Sequence, residues 1–254
     1  MTDQHPKVPQ PVNGALLASG FPFQTAVAQV LQHTPGCTLT EEEFPWQDEF
    51  GIDQFLDLVG QKGFCVVTIE CKKTRKETFT FLQPEVASGD EIRVRCAYLT
   101  QIKDATRRVE LLYGDSQLRP KSPESAFCVV STGHSGKDQR MLEHDAQRIV
   151  RATDAYAQHY QDTFKSKDFP EPNRLFLPVI VTNAKLFVAE YNTADVSLET
   201  GELPNHPPAT ISSIKWVRFR KAFRTGGRDA GHRTVLVVAA THLKTFLGKL
   251  EDIG

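Results

Sequence analysis

The stretch Phe55-Leu-Asp-Leu-Val-Gly-Gln-Lys-Gly-Phe-Cys-Val-Val-Thr-Ile-Glu-Cys-Lys-Lys73 decides the reading of this chain. Asp57 interrupts an apolar run, Gln61-Lys62-Gly63 supplies polar turn chemistry, and Phe64 to Ile69 is rich in β-branched residues, which is the pattern of a β-hairpin. At the far end stand Glu70 and Lys72, two apart, so both point to one face of the strand while Cys71 points to the other. Opposite charges on one face of an otherwise apolar strand are costly to bury unless they pair or hold a cation.

A hard cation such as Mg²⁺, with Mn²⁺ as a substitute, takes oxygen ligands and keeps several waters, so one or two carboxylates at a strand end can hold it against a phosphate. Such a metal polarises a phosphoryl oxygen and lowers the pKa of a bound water, while a nearby ammonium orients that water and offsets charge at the phosphorus. Asp57, Glu70 and Lys72 match those roles as candidate catalytic residues. The carboxylate partner of Glu70 has two candidates. A hairpin register centred on Gln61-Lys62 sets Asp53 opposite Glu70; Asp57 shares its strand parity, so Asp53 and Asp57 both stand as metal ligands beside Glu70.

On these residues the segment resembles the core of the PD-(D/E)xK, or restriction-endonuclease-like, nuclease superfamily. The resemblance implies an α/β fold with an αβββαβ core, a central mixed β-sheet flanked by helices, an Asp on the second strand and Glu-x-Lys on the third. The preceding elements follow that order: Gly20 to Leu31 reads as an amphipathic helix and Cys37 to Trp46 as a first strand. It further implies Mg²⁺-dependent hydrolysis of phosphodiester bonds, with DNA as partner and Asp57 at the common separation from the Glu. Many members carry a helix Glu that reaches the metal; here the matching stretch offers Gln24, whose amide can position a metal-bound water, and no acid between Phe21 and Thr34. Glu41, Glu42 and Glu43 on the following strand are the nearest source of that charge. Gln24 also favours a different outcome, an inactive module of the same fold that binds nucleic acid; a sensor or effector binding a protein or nucleotide is a third.

Length and composition frame these expectations. At 254 residues and 40% hydrophobic, the chain can bury a full core as one domain over residues 14–254, with 85–125 as an insertion and 1–13 as a disordered Pro-rich tail without the apolar core of a signal peptide. No run is long enough to cross a bilayer. The cysteines, five in number and without CxxC spacing, read as reduced thiols of a cytoplasmic protein. A homodimer and association with a partner protein of a larger system both stay open.

A formal net charge of −1 hides one local asymmetry. Lys215, Arg218, Arg220, Lys221, Arg224, Arg228 and Arg233 face the single acid Asp229 across residues 215–233, interleaved with Trp216, Phe219 and Phe223. Alternation in Trp216-Val-Arg-Phe-Arg220 predicts a strand with one packed face and one positive face, a candidate nucleic-acid contact. Further along, a long helix is expected from Ser135 to about Phe164, a buried strand over 175–182 pairing with 184–191, another strand at 234–240 and a final helix over 241–251. Weaker signals are set aside: Gly133-His-Ser-Gly-Lys137 lacks phosphate-loop spacing, His144 and His159 lack zinc spacing, Gln139 and Gln147 fit either the cleft side or the solvated side of the long helix, and Cys71 reads as packing.

Overall fold

The computed structural model describes residues 10–74, 77–84, 92–101, 109–131, 141–165, 173–203, 209–223 and 231–252. In chain order these form α1 (Gln10–Ala18), α2 (Phe21–Gln32), β1 (Cys37–Gln47), β2 (Asp53–Lys62), β3 (Cys65–Lys72), β4 (Thr78–Pro84), β5 (Arg93–Gln101) and β6 (Val109–Arg119). There follow β7 (Glu124–Ser125), β8 (Phe127–Ser131), α3 (Met141–Lys165), β9 (Arg174–Thr182), β10 (Lys185–Tyr191), β11 (Thr210–Ser213), β12 (Trp216–Ala222), β13 (His232–Ala239), α4 (Leu243–Lys249) and β14 (Glu251–Asp252). No helix among the described residues is long and apolar enough to cross a membrane.

The decisive hairpin turns on Gly63 and Phe64 and not on Gln61 and Lys62, since Lys62 pairs with Cys65. Gly63 has φ +57, a left-handed conformation that glycine adopts without the steric cost a Cβ brings, and two-residue hairpin turns need it. β2 also runs antiparallel to β1, so β1, β2 and β3 form a meander. β3 then pairs in parallel with β9 from Cys65–Leu175 to Lys72–Thr182, and β9 with β13, whose other edge carries antiparallel β12. The result is a mixed sheet of order β1-β2-β3-β9-β13-β12-β7 in an α/β chain.

Layers cover both faces of this sheet. Val27, Ala28 and Leu31 of α2 and Leu243, Phe246 and Leu247 of α4 share a core with Leu58, Val67, Ile69 and Val179. The other core joins Leu142, Ala146, Ile149 and Tyr156 of α3 to Val59, Val66, Phe176 and Ile180. It also takes in Phe79, Phe81, Val130 and Leu186 from a second, four-stranded sheet of order β11-β10-β4-β8. Packing between α2 and β2 is close at Gly60, where an added Cβ would stand 2.8 Å from a Leu31 methyl.

Three expectations need correction. Within 85–125, the described residues do not stand apart as an insertion: β5 and β6 pair antiparallel along their length, and β5 pairs with the first half of β9, with Val94, Cys96 and Leu99 buried. Residues 184–191 do not pair with β9, because β3 takes one edge of β9 while β5 and β13 divide the other; β10 joins β4 and β11 instead. The N-terminal tail is shorter than expected, as helix α1 begins at Gln10; residues 1–9 lie outside the described residues.

Candidate active site

β3 brings Thr68, Glu70 and Lys72 to the face that α3 covers, and each meets α3 in turn. Thr68 bonds Thr153 at 2.6 Å between hydroxyls, the Glu70 carboxylate pairs with the Arg148 guanidinium, and Lys72 Nζ lies 2.8 Å from Asp145 Oδ2. Glu70 is only 6% exposed, so Arg148 answers the cost of desolvating its charge. Asp145 and Arg148 are three apart on α3 and therefore sit on one helix face, one charge for each charge of Glu-x-Lys.

Asp57 completes the cluster. The pairing Leu58–Ile69 is the last in the β2–β3 register, and continuing it sets Asp57 across from Glu70. One carboxylate oxygen of Asp57 accepts the Cys71 backbone N–H at 2.7 Å. Burial pushes the Asp57 carboxyl above its ordinary range, the Cys71 hydrogen bond and Arg148 pull it back, and Glu43 adds like-charge repulsion. Glu43 itself has φ 54, a conformation uncommon outside glycine and of a kind that clusters at functional sites. Cys71 points away, its thiol pushed up by burial and by Asp57, which suits the packing role expected of it.

Asp53 is not opposite Glu70. The turn at Gly63-Phe64 moves the register, and Asp53 falls at the exposed start of β2, paired with Gln47, whose side-chain amide donates to it at 3.0 Å. Gln24 reaches the site by another route than a water: its amide donates to the Asp57 backbone carbonyl at 3.2 Å, tying α2 to β2 behind the carboxylate. Of the neighbouring acids, Glu41 accepts from the Tyr156 hydroxyl at 3.4 Å, leaving Glu43 as the one that acts on Asp57.

Asp57 and Glu70 are the oxygen donors a hard cation takes, and the burial-raised carboxyl of Asp57 is that of an acid whose counter-charge is incomplete. These two carboxylates are the residues that could hold such an ion, Glu70 once released from Arg148. No group of three or more His, Cys, Asp or Glu suited to a metal occurs among the described residues.

The basic segment is arranged differently from its expectation. Arg218 is 1% exposed and its guanidinium donates to the carbonyls of Arg93 and Ser122, both at 2.8 Å. Arg233 is 2% exposed and lies over the Tyr113 ring at 3.8 Å, beside Asp154, whose carboxyl burial pushes up to about 6. Arg220 stands 3.6 Å from Asp115 and 3.8 Å from Glu124, and Lys221 3.4 Å from Glu143. The acids that balance these cations come from β6, β7 and α3, far away in sequence. Lys215 is exposed next to the end of β13, while Arg224 and Arg228 lie outside the described residues. The strand thus presents no uniformly positive face, and Arg218 and Arg233 cannot meet a solvent phosphate.

Sequence reasoning missed Asp145 and Arg148, which supply the partner charges of Lys72 and Glu70. Their place along the apolar stripe of α3, beside Leu142, Ile149 and Ala152, was the available signal, but nothing local says that β3 lies beneath them. Gly133-His-Ser-Gly-Lys137 and Gln139 lie outside the described residues. Scanned against protein-family models and searched against curated proteins and solved structures, the chain matches none of them.

Proposed function

We propose that this chain is a restriction-endonuclease-like phosphodiesterase that cuts DNA with a Mg²⁺ ion held by Asp57 and Glu70. One observation carries the reading: Arg148 pairs with Glu70 and also acts on the charge of Asp57, which accepts the Cys71 backbone N–H one residue beyond Glu70, with Lys72 next on the same strand. The run α2-β1-β2-β3, followed after β4 to β8 by α3-β9, supports it, since with those five strands set aside it keeps the αβββαβ order that the resemblance implies.

The chain's own groups then divide the work. Asp57 and Glu70 supply anionic oxygens, and bound Mg²⁺ would supply polarisation of the phosphoryl oxygen and a water of lowered pKa. Lys72 presents an ammonium to the attacked phosphate, acting on charge that develops in the transition state, and Asp145 fixes its position. Arg148 neutralises Glu70 and would be free to contact a phosphate were that carboxylate to hold a metal. All of the cysteines are free thiols, in keeping with a cytoplasmic setting.

A second reading has a specific observation behind it. With Glu70 paired to Arg148 and Gln24 bonded to the Asp57 carbonyl, the same cleft suits a module that binds nucleic acid without cutting it. Incubation of plasmid and single-stranded DNA with Mg²⁺, Mn²⁺ or EDTA separates the two. Cleavage that EDTA abolishes, and that Glu70→Gln removes and Lys72→Ala lowers about 100-fold with binding retained, is the expected result. DNA binding without any cleavage selects the second reading, and neither activity rejects both.

A further inference from the structure

Beside the carboxylates, α3 and the β1–β2 hairpin enclose a cavity of about 170 Å³. His144, Gln147, Arg148 and Arg151 line it from the helix, at spacings of three and four that set them on one face, and Trp46 and Gln54 line it from the sheet. Arg148, which holds Glu70, links the cavity wall to the proposed metal ligands.

The lining is matched to an anion. Two guanidiniums, each a rigid fork of donors suited to phosphate oxygens, stand one helical turn apart, with an imidazole and an amide on the same face. Arg151 is held 3.0 Å from Glu49, which fixes its approach. The acid on the rim, Asp48, has an oxygen already engaged by the backbone N–H groups of Phe50 and Ile52, at 2.9 and 3.0 Å. Independently, the Trp46 indole N–H is buried, the residue being 8% exposed, and has no hydrogen-bond partner among the described residues. A buried donor without an acceptor costs about 1–3 kcal/mol, and Trp46 is one of the residues that line this cationic cavity, so an acceptor bound there would offset that cost.

We infer that this cavity seats a backbone phosphate of the nucleic acid next to the one attacked, with Arg151 and Arg148 as its cationic contacts and His144 and Gln147 as further hydrogen-bonding ones. The inference rests on the nuclease reading for the identity of the ligand and extends it by placing the strand along α3. The positive contacts would then come from this helix and not from residues 215–233.

Fluorescence anisotropy of a short fluorescein-labelled duplex DNA in EDTA, titrated across salt concentrations, tests it without requiring turnover. Arg151→Gln should bind about tenfold more weakly, with a log–log salt slope shallower by about one, because one phosphate contact is lost. Trp46→Phe, which keeps an aromatic ring and removes the N–H, should also weaken binding, and circular dichroism checks that both variants are folded. Lys244→Gln, an equal charge change on α4 against the opposite face of the sheet, should bind like the parent. If the parent binds or cuts DNA and both cavity variants match it in affinity and slope, the cavity is not a phosphate site while the nuclease reading stands. An equal loss in Lys244→Gln overturns it in favour of diffuse attraction. A parent chain that neither binds nor cuts DNA overturns both proposals.

Discussion

Two charged clusters in this molecule read alike in sequence and fold to opposite ends. In the cleft under α3, Glu70 and Lys72 lie on a strand and find one helix charge each, yet Asp57 beside them keeps a carboxyl raised by burial and by Glu43. On β12 and β13, Arg218 and Arg233 are driven into the interior and matched: one guanidinium donates to two backbone carbonyls, the other lies over Tyr113 beside Asp154. The second cluster stitches β5, the segment before β7 and β12 together. The first leaves electrostatic energy unrelieved. Burial raises a carboxyl in both clusters, Asp57 in one and Asp154 in the other; they differ in that the arginines are shut in the interior while Lys72 and Arg148 keep a face to solvent.

Substitutions sharpen that contrast, and the largest effect belongs to the arginines. Arg233→Ala should cost about 3–5 kcal/mol, because it strands the Asp154 carboxyl in the interior. Arg218→Ala should cost about 3 kcal/mol through lost carbonyl partners and a cavity. Urea unfolding checks both, and a loss below about 1 kcal/mol would mean that these side chains are not the staples they resemble. Asp154 adds a pH signature. Its carboxyl is raised to about 6, so its contribution favours folding below the unfolded value and is lost as pH rises through about 6; without Arg233, which lowers it, that loss should move to higher pH.

Smaller effects are expected in the cleft. Lys72→Met should cost about 1–3 kcal/mol by leaving Asp145, itself nearly buried, without its ammonium. Asp57→Asn should do the reverse and raise the melting temperature at neutral pH. The Asp57 carboxyl is raised, so its ionised form opposes folding above its folded pKa; the advantage of the amide should shrink as pH falls through that value. A melting temperature that drops on Asp57→Asn at neutral pH would put Asp57 in the same class as Arg233, a residue kept for stability.

What could be read from sequence followed locality. The helix at Gly20 to Leu31, the first strand, the hairpin and the Glu-x-Lys face were legible because period and turn residues sit within a few positions of one another. Asp57 against Asp53 hinged on whether the turn centres on Gln61-Lys62 or on Gly63-Phe64, a displacement that only the backbone conformation of Gly63 decides. The arginines failed for a different reason. Alternation in Trp216 to Arg220 shows that two faces exist, not which one meets water, and β5, β6 and β7 cover the face assigned to solvent. Asp145 and Arg148 were invisible as partners because the contact between α3 and β3 joins residues more than seventy positions apart.

The two-residue turn at Gly63 has an evolutionary consequence. Twelve residues separate Asp57 from Glu70, two of them in the turn and the rest shared equally between the strands. With that turn kept, the hairpin can lengthen or shorten only by one residue on each arm, since a single insertion would flip every side chain beyond it to the other face and send Asp57 toward α2. Descendants of this chain should therefore vary the spacing between these two acids in steps of two, and an odd interval would mark either a bulge or a lineage that has abandoned the cleft.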